Sequence, residues 1–196
     1  NGSESAVQIR ASAIAVRLRA GKVLEKGNAA RKAEHLHRHL AEEVTQHLLD
    51  LGHRRIGMIN GQADDVLGFV VPHKRQQGYE LAFSEAGLIP DPTLYVPGYF
   101  TIEVGYQARN SLLDRTDSPT AVFSFSDELA FGALWAARDR GISVPDDLSL
   151  VGVDDHDVSG LVQLTTVHQD VAEHGARAAR TMIDLLAGTE VPLERQ

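Results

Sequence analysis

The stretch "PTAVFSFSDELAFGALWAARDRGISVPDDLSLVGVDD", residues 119–155, decides the fold. Two apolar runs, Ala121–Phe125 and Leu148–Val153, flank a helical segment from Glu128 to Arg140 that stops at Gly141. Each run is apolar but for one serine, Ser124 in the first and Ser149 in the second, and lacks a regular alternation, the pattern of a strand buried on both faces. Each also ends abruptly in polar residues, Ser126-Asp127 after the first and Asp154-Asp155 after the second. A strand, a helix and a second strand with short links predict a parallel pair joined by a crossover helix.

The same rhythm extends in both directions. Upstream, "EEVTQHLLDLGHRRI" places Val44, Leu48 and Leu51 at helical spacing before the stop at Gly52, and "RIGMIN" (55–60) reads as a strand. A helix over about 73–86, a strand at 94–99 and a helix over about 102–114 lead into the quoted stretch. Downstream, "LTTVHQD" is a short extended piece and "VAEHGARAARTMIDLLAG" a last helix. The expected fold class is α/β, a doubly wound parallel sheet with helices on both faces. Residues 1–34 carry no clear periodicity and are set apart from an α/β domain over 35–196.

Composition narrows the function. The chain has 196 residues, no cysteine and a formal net charge of -8. Disulfides and thiolate chemistry are excluded, and no apolar run of about 18 residues provides a membrane span. An acidic chain is repelled by phosphate backbones, so these residues alone are not expected to bind nucleic acid.

In an open parallel sheet, ligands bind beyond the carboxyl ends of the strands. Asp127, Asp154 and Asp155 should therefore lie along one rim. Asp127 begins a helix, where an anion is favoured by free N–H groups and the dipole, so a plain capping role competes with a ligand role. Asp154 and Asp155 have no following helix, and a ligand hydroxyl or a cation is their natural partner. Arg75 falls in the first turn of the 73–86 helix, where a cation is disfavoured, and shares the inward stripe with Tyr79 and Phe83. Its guanidinium can fork onto hydroxyls or carboxylates, the plainer alternative being an ion pair with Asp64 or Asp65. Phe100, just past the 94–99 strand, can stack on a ligand or join the core.

Other chemistries lack their motifs. In "EHLHRHL" (34–40) only His35 and His39 share a helical face and no HExxH occurs, so the cluster reads as surface histidines and not as a metal site. Dinucleotide, P-loop and nucleophile-elbow signatures are missing, leaving no cofactor and no catalytic residue to assign.

Four segments in order, "HLLDLGHRRIGMING", "KRQQGYELAFSEAGL", the quoted stretch, and "LTTVHQDVAEHGARAARTMIDLLAG", resemble the effector-binding region of the lactose/galactose-repressor (LacI/GalR) transcription regulators over roughly residues 42–190. The resemblance implies a periplasmic-binding-protein-like fold of two lobes, of which chiefly the C-terminal lobe matches here. It implies a cytoplasmic homodimer that binds a sugar, polyol or nucleoside effector between the lobes. Operator DNA would be bound through a headpiece that is absent from this chain. By position, Arg75 corresponds to the arginine that grips effector hydroxyls, Asp154 to the acid that accepts hydrogen bonds from them and Phe100 to a stacking aromatic. Ser126 takes the place of a common asparagine, and Gln169 lies at the cleft mouth. With Asp127, these form the expected ligand-binding set. Two other readings of the same residues are a transport-type sugar-binding protein and an acid–base enzyme using Asp127, Asp154 and His156.

Overall fold

In the computed structural model of the chain, the residues described are 29–61, 70–169 and 171–188. They form helices α1 (Ala29–Asp50), α2 (Val71–Glu85), α3 (Ile102–Leu113), α4 (Asp127–Asp139) and α5 (Val171–Leu186). Strands β1 (Ile56–Gly61), β2 (Tyr95–Gly98), β3 (Ala121–Ser124), β4 (Ser149–Asp154) and β5 (Thr165–His168) alternate with them. The sheet has five strands in the order β2-β1-β3-β4-β5, every pair parallel. The doubly wound α/β reading is therefore correct. Helix α1 begins at Ala29, so the boundary expected at 34/35 falls inside a helix; the rest of that N-terminal segment lies outside the described residues.

Alternation along each strand builds two cores. Ile56 and Met58 of β1, Phe123 of β3 and Val151 of β4 pack with Leu48 of α1 and Tyr79 and Phe83 of α2. Ile59, Val122 and Leu150 point the other way, onto Leu112 of α3 and Leu129 and Ala133 of α4. Both faces of the central strands are thus covered, which is why their sequences are apolar without a polar period.

The "GHRRI" segment turns out to be structural. Gly52, at φ 93°, takes the left-handed conformation that closes α1, with its N–H donated to Leu49 O and that of His53 to Leu48 O. His53 then bridges the residue before β3 and the first residue of β4 at the amino edge of the sheet, with Nδ1 2.9 Å from Thr120 Oγ1 and Nε2 3.0 Å from Ser149 Oγ. Burial keeps this imidazole below its ordinary range, hence neutral, and so able to serve one partner as donor and the other as acceptor.

One buried charge stands without support. Arg109 of α3 has no exposed surface, and none of its guanidinium nitrogens has a hydrogen-bond partner among the described residues. Burial, with a smaller contribution from Arg140, lowers it to about 10. A charge so placed opposes folding, and an apolar side chain of similar length relieves it. Arg109→Met is expected to raise stability by about 1–3 kcal/mol in urea denaturation; a loss of stability instead would mean that the guanidinium is satisfied in solution.

Candidate functional site

The chain runs from β1 outward to β2 and then returns past β1 to β3, β4 and β5. That reversal leaves a crevice beyond the carboxyl ends of β1 and β3, where neighbouring connections diverge to opposite faces. A cleft of about 380 Å³ lies there, lined by His37, Arg75, Phe100, Ser126, Asp154 and Gln169 together with Val71, Pro72, Phe125 and Glu128. The segments following β1, β2 and β3, the end of β4 and the segment following β5 each contribute at least one of these residues.

Arg75 enters from α2. That helix begins at Val71, so Arg75 sits in its second turn and not the first, which removes the expected clash with the helix dipole. Its side chain is 4% exposed, donates from Nη1 to Phe125 O, and lies over the Phe125 ring with Cζ 5.9 Å from the centroid. Burial brings it down to about 10 while Asp154 pulls in the opposite direction. Arg75 therefore remains cationic at neutral pH. Asp64 and Asp65, the alternative partners considered for it, lie outside the described residues.

Asp154 closes β4 at φ 126° and Asp155 follows at φ 56°. Side chains other than glycine rarely hold such angles, and backbone strain of this kind concentrates at binding and catalytic sites. Asp154 accepts a 2.6 Å hydrogen bond from Gln169 Nε2. Its carboxyl is pushed up to about 6, chiefly by burial, against the downward pull of Arg75. Asp155 turns aside, with its carboxylate 2.9 Å from His168 Nδ1 and its N–H donated to Thr166 Oγ1 at 3.2 Å. Of the two adjacent acids, only Asp154 reaches the cleft.

Phe100, 44% exposed, rests at the end of β1, where a Cβ on Gly61 would come within 2.3 Å of its ring. The missing side chain at position 61 is what lets the tip of the aromatic ring approach the strand so closely. Ser126 lines the cleft and also caps α4, accepting a 3.2 Å bond from Leu129 N.

Asp127 does not belong to this set. It is fully buried, and its carboxylate accepts from Ser159 Oγ at 2.6 Å, Thr166 Oγ1 at 2.6 Å and His156 N at 2.8 Å. Nor is it the helix cap, a place that Ser126 takes. Gly152 makes room for it, since a Cβ there would stand 2.3 Å from Asp127 Oδ1. Its role is to tie β5 and the loop after β4 to the start of α4. The acid–base grouping of Asp127, Asp154 and His156 dissolves for the same reason. Asp127 is enclosed, and the His156 ring sits edge-on to Phe131 with centroids 5.8 Å apart, outside the cleft lining.

The histidine segment also needs correction. His35 and His39 are surface residues paired with Arg38 and with Glu42 and Glu43, but His37 faces the cleft. No group of three or more metal-ligating side chains gathers among the described residues. His37, Glu128 and the apolar wall of Val71, Pro72 and Phe125 were not legible from local sequence. Phe125 alone carried a signal, as the last apolar residue before the polar strand end.

A parallel sheet with a cleft at its topological switch point is an architecture compatible with the periplasmic-binding-protein class. Residues 45–196 match the family described as "Periplasmic binding protein-like domain", and the chain belongs to it, as an effector-binding region of the LacI/GalR type. It is 39% identical over 153 residues to the HTH-type transcriptional repressor CytR of Escherichia coli (strain K12), covering 77% of this chain and 44% of that protein. It is 35% identical over 144 residues to catabolite control protein A of Priestia megaterium, covering 72% and 42%. Among solved structures, a LacI-family regulator from Sanguibacter keddieii superposes with a TM-score of 0.69 at 37% identity, covering 79% of this chain and 58% of the other. A complex described as transcriptional regulator CelR with cellobiose gives 0.70 at 36%, covering 78% and 46%. The chain spans less than half the length of the curated relatives it matches.

Proposed function

We propose that this chain is the ligand-sensing part of a repressor-type transcription regulator, and that its cleft binds a small sugar, polyol or nucleoside. The observation that carries this reading is the convergence of Arg75 and Asp154, from α2 and β4, on one open cavity beside Gln169, Ser126 and an exposed aromatic. A fixed cation and an acceptor carboxylate complement hydroxyl groups, and Phe100 offers a face for the apolar side of a ring. The CelR–cellobiose complex supports a sugar as the solute, and the repressor relatives support the regulatory role. The activity is binding, without chemistry or cofactor. An effector shifts the regulator between arrangements only by its preference for one of them, and that preference is what alters affinity for operator DNA. DNA is contacted by a headpiece of the full-length protein, in the cytoplasm.

The test is a thermal-shift screen with cellobiose, D-ribose, xylitol and uridine. A bound solute raises stability by RT ln(1 + [L]/Kd), so at about 100 times Kd the gain is about 2.7 kcal/mol. Failure of every member to shift the transition would remove the reading.

The regulator acts as a homodimer. Trp135, 55% exposed, lines a second groove of about 250 Å³ with Phe131, Leu134, Val158 and Val162, largely apolar apart from Arg138. Contiguous apolar surface of this kind marks contact sites, and an isologous pairing of two copies would cover it. Trp135→Glu is expected to yield a monomer in sedimentation velocity where the unaltered chain sediments as a dimer. A monomeric unaltered chain would refute the assignment.

A further inference from the structure

The three histidines of "EHLHRHL" occupy two different environments. His35 and His39 are satisfied on the surface, whereas His37 faces the cleft. Its Nδ1 is buried with no hydrogen-bond partner among the described residues, and so is Arg75 Nε in the same cavity. Buried polar atoms are nearly always paired in folded proteins. Two residues that line one open cleft and each carry an unpaired buried nitrogen therefore mark the wall where the polar groups of a solute find partners.

The chemistry of His37 is narrow. Burial, and secondarily the Arg75 cation, holds it down at about 4, so the ring is neutral at physiological pH. A neutral imidazole offers one N–H donor and one acceptor nitrogen. A hydroxyl can satisfy either, whereas an ammonium group would meet the repulsion of Arg75.

We propose that His37 is a direct effector contact, hydrogen-bonding an uncharged hydroxyl or carbonyl of the solute that Arg75 and Asp154 hold. The assignment rests on the cavity reading given above and adds a wall contributed by α1. It makes His37 a specificity residue: a solute lacking the matching group leaves the imidazole nitrogen unpaired and is rejected.

The experiment begins with calorimetric titration of cellobiose, D-ribose, xylitol and uridine into the unaltered chain. Each compound that binds is then titrated into His37→Ala, His37→Gln and Arg75→Met, with far-UV circular dichroism reporting the fold of each variant. His37→Ala is expected to weaken binding roughly ten- to hundred-fold. His37→Gln, whose neutral amide restores a donor and an acceptor, should recover most of that loss. If His37→Ala binds as the unaltered chain does while Arg75→Met has lost binding, the His37 role falls and the cavity reading stands. If Arg75→Met also binds normally, or no compound binds the unaltered chain, the cavity reading falls and takes His37 with it. Should His37→Ala misfold, long-range ¹H–¹⁵N spectra of the unaltered chain decide the matter. The His37 Nδ1 resonance must move on saturation with the bound compound, and a stationary resonance overturns the proposal.

Discussion

Asp127→Ala is expected to lose about 3–5 kcal/mol of folding stability, the largest effect of any single substitution considered for this chain. The carboxylate has no exposed surface and takes three donors, Ser159 Oγ, Thr166 Oγ1 and His156 N. Alanine would strand all three, and each unpaired buried donor costs about 1–3 kcal/mol before relaxation. The bonds also span the chain, joining α4 to β5 and to the loop after β4, so their loss would loosen the rim that carries Asp154 and Gln169. Asp127→Asn keeps one carbonyl acceptor but presents an amide to a donor, and should fall between alanine and the native residue. Urea denaturation followed by circular dichroism measures both. A loss below about 1 kcal/mol for Asp127→Ala would show that the three donors find water instead.

The second large effect concerns binding. Arg75→Met is expected to weaken solute affinity by about 100-fold or more, since a charge-assisted fork is lost from an enclosed position. Its effect on the free protein should be small, because losing the bond to Phe125 O is offset by no longer burying a guanidinium. Calorimetry and thermal denaturation separate the two quantities. A variant that unfolds would recast Arg75 as a structural residue.

Asp154 adds a pH dependence whose sign is fixed by its raised value. Its folded value is about 6 against an ordinary 3.8, so the folded state holds the proton over a range where the unfolded chain has released it. The contribution to stability is fully present below pH 4 and is lost as pH rises toward 6, on the order of 2 kcal/mol after solvent screening. Asp154→Asn should flatten that slope in denaturation measured from pH 4 to 7. Affinity for a hydroxylated solute runs in the opposite direction and declines below pH 6, where the acceptor becomes protonated. Equal affinity at pH 5 and 7.5 would argue against Asp154 as the acceptor.

The amino-acid sequence by itself determined the layers of this protein. Largely apolar runs such as Ala121–Phe125, set between helices that end at Gly52, Gly87 and Gly141, admit little except a parallel sheet covered on both faces. That in turn placed the ligand side at the carboxyl ends of the strands. The residue pattern also singled out Arg75, Phe100 and Asp154, while Ser126 and Gln169 entered as ligand contacts only through the family resemblance. The layers are legible because periodicity and strand ends are local properties, written within a dozen residues.

What only the tertiary structure decided is which polar side chains face the cleft. Asp127 and Asp154 look alike in the sequence, each an acid just past a buried strand. They are told apart by Ser159 and Thr166, more than thirty residues away, and by the space that Gly152 leaves. His37 looks like a member of a surface cluster until the packing of α1 against α2 brings it beside Arg75. The direction of a side chain depends on its neighbours in space, and no local pattern records them.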